Sequence, residues 1–181
     1  DPSNPFGAII PPDELDRLAE LVDARGLIAI SDEIYRELRY DGQRHESICT
    51  RTERSLLVGG LSKSCALTGH RLGYVLGGAE VMRRATLVNQ LMVTCAPRLA
   101  QYMALEIFQR PERMQAHLPF YAAARARLAA VAAELPPQAS LHLGGGAFYA
   151  VLDISAFGPA MALALELVAE ADVLVVPGVA F

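Results

Sequence analysis

Three short, almost wholly apolar runs, LIAIS at 27–31, SLLVGGLS at 55–62 and LGYVLGG at 72–78, most narrow the folds open to this chain. Runs that do not alternate polar and apolar residues suit strands covered on both faces, as in a mainly parallel sheet lying between helices. The first run is preceded by PPDELDRLAELVDARG at 11–26, which opens with prolines and acids, places Leu15, Leu18, Leu21 and Val22 on one face and stops at Gly26. That is an amphipathic helix, so the fold class is α/β. From about Ala79 the pattern turns helical, breaks at Pro97 and resumes through RLAQYMALEIFQ and the alanine-rich FYAAARARLAAVAAEL, a helix that Pro119 is expected to kink or split. After Pro136 and Pro137, SLHLGGGAFYAVLDIS reads as a hairpin-like pair of strands, followed by a helix near Pro159–Glu170 and a final strand DVLVV. The double proline is the best candidate boundary.

Charge and hydropathy exclude some partners. The net charge of -4 leaves no basic footprint for nucleic acid or an anionic membrane. Hydrophobic residues make up 52% and charged residues 20%, yet no uncharged run is long enough to span a bilayer. Such a chain is expected to carry surface built to be covered. Cys49, Cys65 and Cys95 form no CxxC pair and no metal-ligand cluster with the scattered histidines, which suits a reduced, cytoplasmic compartment and no metal. The opening DPSNPFG has no signal-peptide pattern, and without an initiating Met the chain is expected to be processed or part of something longer.

Four chemically distinct groups fall at strand ends. Asp32 lies just past LIAIS, Tyr35 three residues on, Lys63 after SLLVGG and Arg71 before LGYVL. Ligands of open α/β sheets collect outside the carboxyl ends of strands, so these groups are expected to converge at one rim. Each has a task toward a phosphorylated aromatic aldehyde. The Lys63 amine can form a Schiff base. The Asp32 carboxylate can keep a pyridine nitrogen protonated, which makes the ring an electron sink. The Tyr35 phenol can hydrogen-bond a ring hydroxyl, and the Arg71 fork matches a phosphate.

NPFG at 4–7, SDEIY at 31–35, SKSCALTGHRLGY at 62–74, and GGGAFYAVLDI before a terminal VLVVPGVAF resemble, in order and spacing, the class I/II aminotransferases, fold type I enzymes of the aspartate aminotransferase superfamily. The resemblance spans essentially the whole chain. It implies pyridoxal 5'-phosphate as cofactor, Lys63 as the Schiff-base lysine, Asp32 as partner of the pyridine nitrogen, Asn4 and Tyr35 as partners of the ring hydroxyl, and Arg71 and Ser62 as phosphate ligands. It further implies the C-terminal portion of such an enzyme. Residues 1–110 would be part of a three-layer α/β/α cofactor domain with a mainly parallel sheet, 111–135 a connecting helix and 136–181 the start of a smaller α+β domain. A homodimer is implied, with Cys95–Gln101 approaching the partner's cofactor. Two departures stand out: Gly60 occupies a position where the family commonly has serine or threonine, and Phe6 replaces a small residue. The family's phosphate loop, its ring-stacking aromatic residue and the arginine that grips the substrate carboxylate find no counterpart among these residues, so the chain alone is expected to be poorly active or inactive.

Plainer readings apply to other features. LIAISDE also looks like a strand of a nucleotide hydrolase, but a phosphate loop needs glycine directly before its lysine, where Ser62 stands. Gly144–Gly146 reads as a turn beside the site mouth, His70 as structural or surface, Cys65 as a small packing residue, and Arg36, Arg39 and Tyr40 as a solvated edge. Two functions stay open. One is an aminotransferase exchanging an amino group between an amino acid and a 2-oxo acid, with Lys63 as nucleophile, base and acid. The other is a non-catalytic module that keeps the scaffold for regulation or partner binding.

Overall fold

The computed structural model describes all residues 1–181. Helix α1 (Pro12–Ala24) starts on Pro12, whose missing N–H costs nothing in a first turn, and Asp13 and Glu14 sit where the helix dipole favours negative charge. Gly26, at φ +61°, turns the chain so that the Leu27 amide reaches back to the Val22 carbonyl. Strand β1 (Ala29–Asp32) follows directly.

The main sheet has the order β1-β2-β3, with β2 at Ser55–Gly60 and β3 at Gly73–Leu76. β1 and β2 are parallel, Ala29 opposite Ser55 and Asp32 opposite Val58. β3 runs antiparallel to β2, Leu57 facing Leu76 and Gly60 facing Gly73. Only one of the two pairings is therefore parallel, because the loop from β2 to β3 returns without a crossover helix. Helices α2 (Ala79–Val93), α3 (Arg98–Phe108) and α4 (Leu118–Ala132) come next, then a hairpin of β4 (Ser140–His142) and β5 (Val151–Asp153), and α5 (Ala160–Ala171).

Several expectations change. Pro119 falls in the first turn of α4, where it begins the helix instead of kinking it. DVLVV finds no strand partner and joins no sheet. The buried face of α1 is Leu15, Ala19 and Val22, packed on Ile48, while Leu18 and Leu21 are exposed. β1 is not covered on both faces: Ile30 is 70% exposed. Arg36, Arg39 and Tyr40 are not a solvated edge. Arg36 pairs with Glu33 and Glu37, Arg39 holds Asp41, and the Tyr40 hydroxyl donates to the Ala147 carbonyl at 2.5 Å beneath the Arg125 guanidinium.

Little of the chain is enclosed. A folded monomer of 19.5 kDa is expected to expose ~8,500 Å²; this chain exposes 12069 Å². Exposed apolar side chains lie on most elements, α2, α3 and the tail among them, at residues such as Leu91, Leu99 and Leu174.

The best-enclosed charge is Glu33, 1% exposed, immediately after β1. Its amide extends the parallel ladder to the Val58 carbonyl at 2.8 Å. Its carboxylate accepts from the Ser31 and Ser47 hydroxyls and pairs with Arg36 at 3.0 Å, and His45 Nε2 lies 3.2 Å away. Burial alone would raise the Glu33 pKa, but His45, Ser47 and Arg36 outweigh it and the value falls below the usual carboxylate range. A group with a folded pKa below its unfolded one stabilises above the unfolded value and loses that contribution as pH falls through the folded one. Glu33→Ala leaves the half-buried Arg36 guanidinium without its counter-charge and the buried His45 and Ser47 without their acceptor, so urea denaturation is expected to show a loss of about 3 kcal/mol that shrinks toward acid pH. An effect no larger than that of the exposed Glu53→Ala would contradict this account.

Candidate active site

β2 ends in Gly59 and Gly60; the rigid ring that crosses Gly59 leaves no room for a side chain there, and Gly60 is crowded by Ile34. A Cβ on Gly59 would stand 2.5 Å from the Tyr74 ring, and one on Gly60 would stand 2.8 Å from Ile34 Cδ1 and 3.3 Å from the Leu72 carbonyl oxygen. The serine or threonine that the family commonly has at the latter position is thus sterically opposed here unless Ile34 moves. The chain then turns tightly: the Leu61 carbonyl accepts from the Cys65 and Leu67 amides at 3.2 and 3.3 Å, and Leu61 and Ser64 are both 1% exposed. Ser62 and Lys63 lie on this turn, held between two buried anchors.

Lys63 is the only lysine in the chain. Its Nζ lies 5.8 Å from the centre of the Tyr35 ring and 5.7 Å from that of Phe148, with no carboxylate paired to it. Two aromatic faces attract an ammonium modestly while offering it no proton acceptor. Tyr35 is itself buried, packs edge-on against Phe148 and Tyr149, and shares a 2.5 Å hydrogen bond with the Tyr149 hydroxyl. Burial first, then that hydrogen bond, pushes the Tyr35 phenol well above its ordinary pKa.

Asp32 closes β1 and caps the next turn, its Oδ1 accepting from the Ile34 amide at 3.0 Å. The remaining carboxylate oxygen is free, and the residue is exposed at the strand's carboxyl end. The segment bearing Asn4 is tied to this point: the Asp1 nitrogen donates to the Asp32 carbonyl at 2.5 Å, and the Gly7 carbonyl accepts from the Gly146 amide at 3.0 Å. Asn4 sits exposed in the turn of that segment. Arg71 has φ +50°, is exposed, and donates from Nη1 to the Thr68 carbonyl at 3.0 Å. It borders a cavity of about 590 Å³ shared with Gly59, Thr86, Asn89 and Cys95.

The expected convergence is therefore partial. Lys63 and Tyr35 meet, Asp32 lies on the same segment as Tyr35, and Ser62 shares the lysine's turn. Arg71 and Asn4 make no hydrogen bond or ion pair with any of them. Sequence reasoning missed Phe148 and Tyr149, which reach Lys63 and Tyr35 from more than eighty residues away. The signal was GGG one residue before two aromatics. A Cβ on Gly144 would stand 2.1 Å from the Phe6 oxygen and one on Gly146 would stand 2.3 Å from Pro2 Cγ, so these glycines let two backbones touch and thereby deliver the aromatics. They form neither the expected turn nor a phosphate cradle: Gly145 bends the chain and Gly146 bridges antiparallel to Arg39. Cys65 is half-buried and its thiol pKa is raised by burial, which fits packing and not nucleophilic work.

No helix is long and apolar enough to cross a membrane, and no cluster of potential metal ligands is present. Comparison with known proteins points one way. Residues 1–181 match the family model for aminotransferase class I and II. The chain is 34% identical to an aspartate/prephenate aminotransferase of Thermus thermophilus, over 99% of this chain and 47% of that protein. It is 33% identical to a valine–pyruvate aminotransferase of Mycobacterium tuberculosis, over 99% of this chain and 47% of the relative. Among solved structures, a Thermus thermophilus aspartate aminotransferase double mutant superposes with TM-score 0.89 at 33% identity, and the aromatic aminotransferase of Pyrococcus horikoshii with 0.87 at 31%, covering 47% and 49% of those chains. The chain spans about half the length of the relatives it matches, and over that span both its sequence and its backbone place it in the class I and II aminotransferases.

Proposed function

We propose that this chain contributes the lysine-bearing part of a pyridoxal-phosphate-dependent aminotransferase, which moves an amino group between an amino acid and a 2-oxo acid. The observation that carries the reading is the setting of Lys63: a sole lysine, on a turn after β2, with its nitrogen beside the packed Tyr35 and Phe148 rings and no carboxylate partner. The donor set fits the cofactor. Asp32 keeps one carboxylate oxygen unbonded at a neighbouring strand end, and the Arg71 guanidinium is bound only to a carbonyl, so its charge is uncommitted. When bound, pyridoxal phosphate supplies an aldehyde for an amine to attack and a ring that draws electrons from the substrate's α-carbon.

The chain's own groups divide the remaining work. Lys63 Nζ would be the nucleophile toward the aldehyde, and the base that takes the substrate's α-proton and later returns it. Asp32 holds a proton on the ring nitrogen. Tyr35 and Asn4 take the ring's hydroxyl oxygen, and Arg71 and Ser62 the phosphate. By the same reading, residues 1–110 belong to the cofactor domain, 111–135 connect, and 136–181 open a smaller domain. The apolar surplus on α2 and α3 supports burial against further protein, including a second copy of this chain.

Three outcomes are expected. Incubation with pyridoxal phosphate and borohydride should leave one modified peptide, containing Lys63, and Lys63→Ala should abolish it; modification confined to the terminal amine would refute the lysine's role. Light scattering at micromolar concentration should show a dimer or larger species, and a clean monomer would count against the covered face. In a coupled assay with a panel of amino donors and 2-oxoglutarate, the bare chain should turn over at least ~100-fold more slowly than the same residues grafted in place of their counterpart in the Thermus thermophilus relative, because rate is lost with positioning. Equal rates would show that residues 1–181 already hold every group the reaction needs.

A further inference from the structure

The Tyr35–Tyr149 hydrogen bond joins two phenols that each own one proton, yet only one proton can lie in the 2.5 Å gap between their oxygens. The other is free to point elsewhere. The groups able to influence this pair are few: Asp32 on the Tyr35 segment, Lys63 from the turn after β2, and Tyr121 of α4, whose ring lies at 24° to Phe148 with centres 5.2 Å apart. Tyr149 is no loosely placed neighbour. Its segment is pinned by the Gly146 amide to the Gly7 carbonyl, by the Ala147 amide to the Leu38 carbonyl at 2.9 Å, by the Tyr40 amide to the Gly145 carbonyl at 3.0 Å, and by the Tyr40 hydroxyl to the Ala147 carbonyl. Ala147 is fully buried with φ +57°, a backbone state that a residue with a side chain holds only when its surroundings impose it.

We propose that Tyr149 is a positioning residue that forms a two-phenol relay with Tyr35: it accepts the Tyr35 proton when no ligand is present and donates its own to the Tyr35 oxygen when an anionic oxygen arrives beside Lys63. Nothing is transferred between heavy atoms; two O–H bonds rotate and each oxygen keeps its proton. In the first arrangement Tyr35 has no proton to offer outward. In the second the Tyr35 proton turns to the ligand while the Tyr149 proton fills the gap behind it, and a donor that itself accepts a hydrogen bond is strengthened. The raised Tyr35 pKa agrees with the first arrangement, since a phenol that donates holds its proton more firmly. The identity of the anionic oxygen, the ring hydroxylate of pyridoxal phosphate, rests on the functional reading above; the relay itself rests on the phenol pair.

The two parts are tested separately. Ultraviolet titration of the cofactor-free chain, with Tyr35→Phe used to identify the Tyr35 signal, should show the Tyr35 midpoint falling in Tyr149→Phe, because the acceptor of its proton is gone. A residue that only filled space would change thermal stability and leave that midpoint in place, so an unmoved midpoint overturns the relay. Affinity for pyridoxal phosphate, read from the yield of borohydride-fixed Lys63, should fall about twofold in Tyr149→Phe, the cooperative strengthening of the outward bond being lost, while affinity for the analogue lacking the ring hydroxyl should not change. Equal losses for both probes would overturn the relay. Failure of both probes to label Lys63 in the unsubstituted chain would overturn the functional reading, and the titration would still decide the phenol pair.

Discussion

The parallel pairing of β1 with β2 is the constraint on which the rest of the site depends. With Asp32 opposite Val58 and the Glu33 amide bonded to the Val58 carbonyl, both strands deliver their following residues to one edge. Asp32 and Tyr35 leave from one strand end, and Ser62 and Lys63 from the other. A slip of one residue in this register would turn the side chains of β1 over and carry Glu33 out of its enclosure. The buried carboxylate therefore acts on register as well as stability: Ser31, Arg36, His45 and Ser47 surround Glu33 in only one alignment, and that alignment presents Asp32 outward.

The second constraint is long-range. Lys63 would stand on an ordinary turn without Phe148 and Tyr149, which arrive because Gly7, Gly144 and Gly146 allow the opening segment and the segment before β5 to touch through their backbones. Local sequence thus sets the amine's turn, and distant sequence sets its environment. The same small core, Tyr35, Leu38 and Ala147 with Phe148, Tyr149, Tyr121 and Leu118 around it, links the strand end, the glycine segment and the start of α4.

The sequence made part of this legible. The three apolar runs appear as β1, β2 and β3 within a residue or two, because short β-rich runs bounded by glycine and charge have few alternatives. The amphipathic period of α1 and the breaks at Gly26 and Pro97 are equally local. The antiparallel direction of β3 was not legible, since strand direction is set by the connection and not by the strand. Nor was the exposure of Ile30: a run suited to burial on both faces keeps its composition whether or not its cover is present. Arg36, Arg39 and Tyr40 read as solvated because the burial of Glu33 and the approach of Ala147 from more than a hundred residues away leave no local mark. Of the candidate site, Lys63 beside Tyr35 followed from strand-end logic, whereas Phe148 and Tyr149 required knowing which backbones meet.

The distribution of burial explains how a site so well ordered in one part coexists with so much uncovered apolar surface. Glu33, Tyr35, Leu38, Leu61 and Ser64 are all enclosed by residues of this chain, and they lie on or beside the elements that bear Asp32 and Lys63. The uncovered surface lies on most elements, α2, α3, the outer face of β1 and the tail among them. Hydrophobic burial is worth roughly 25 cal/mol per Å², so a surplus of this size is a large driving force for association and a small perturbation to a cluster already closed on itself. Lys63 and Tyr35 can be held by local and glycine-mediated contacts alone. Arg71 is exposed on the side where the cavity opens toward α2 and Cys95. The division between an enclosed Lys63–Tyr35 pair and an exposed Arg71 is thus a direct consequence of where this chain buries its apolar surface.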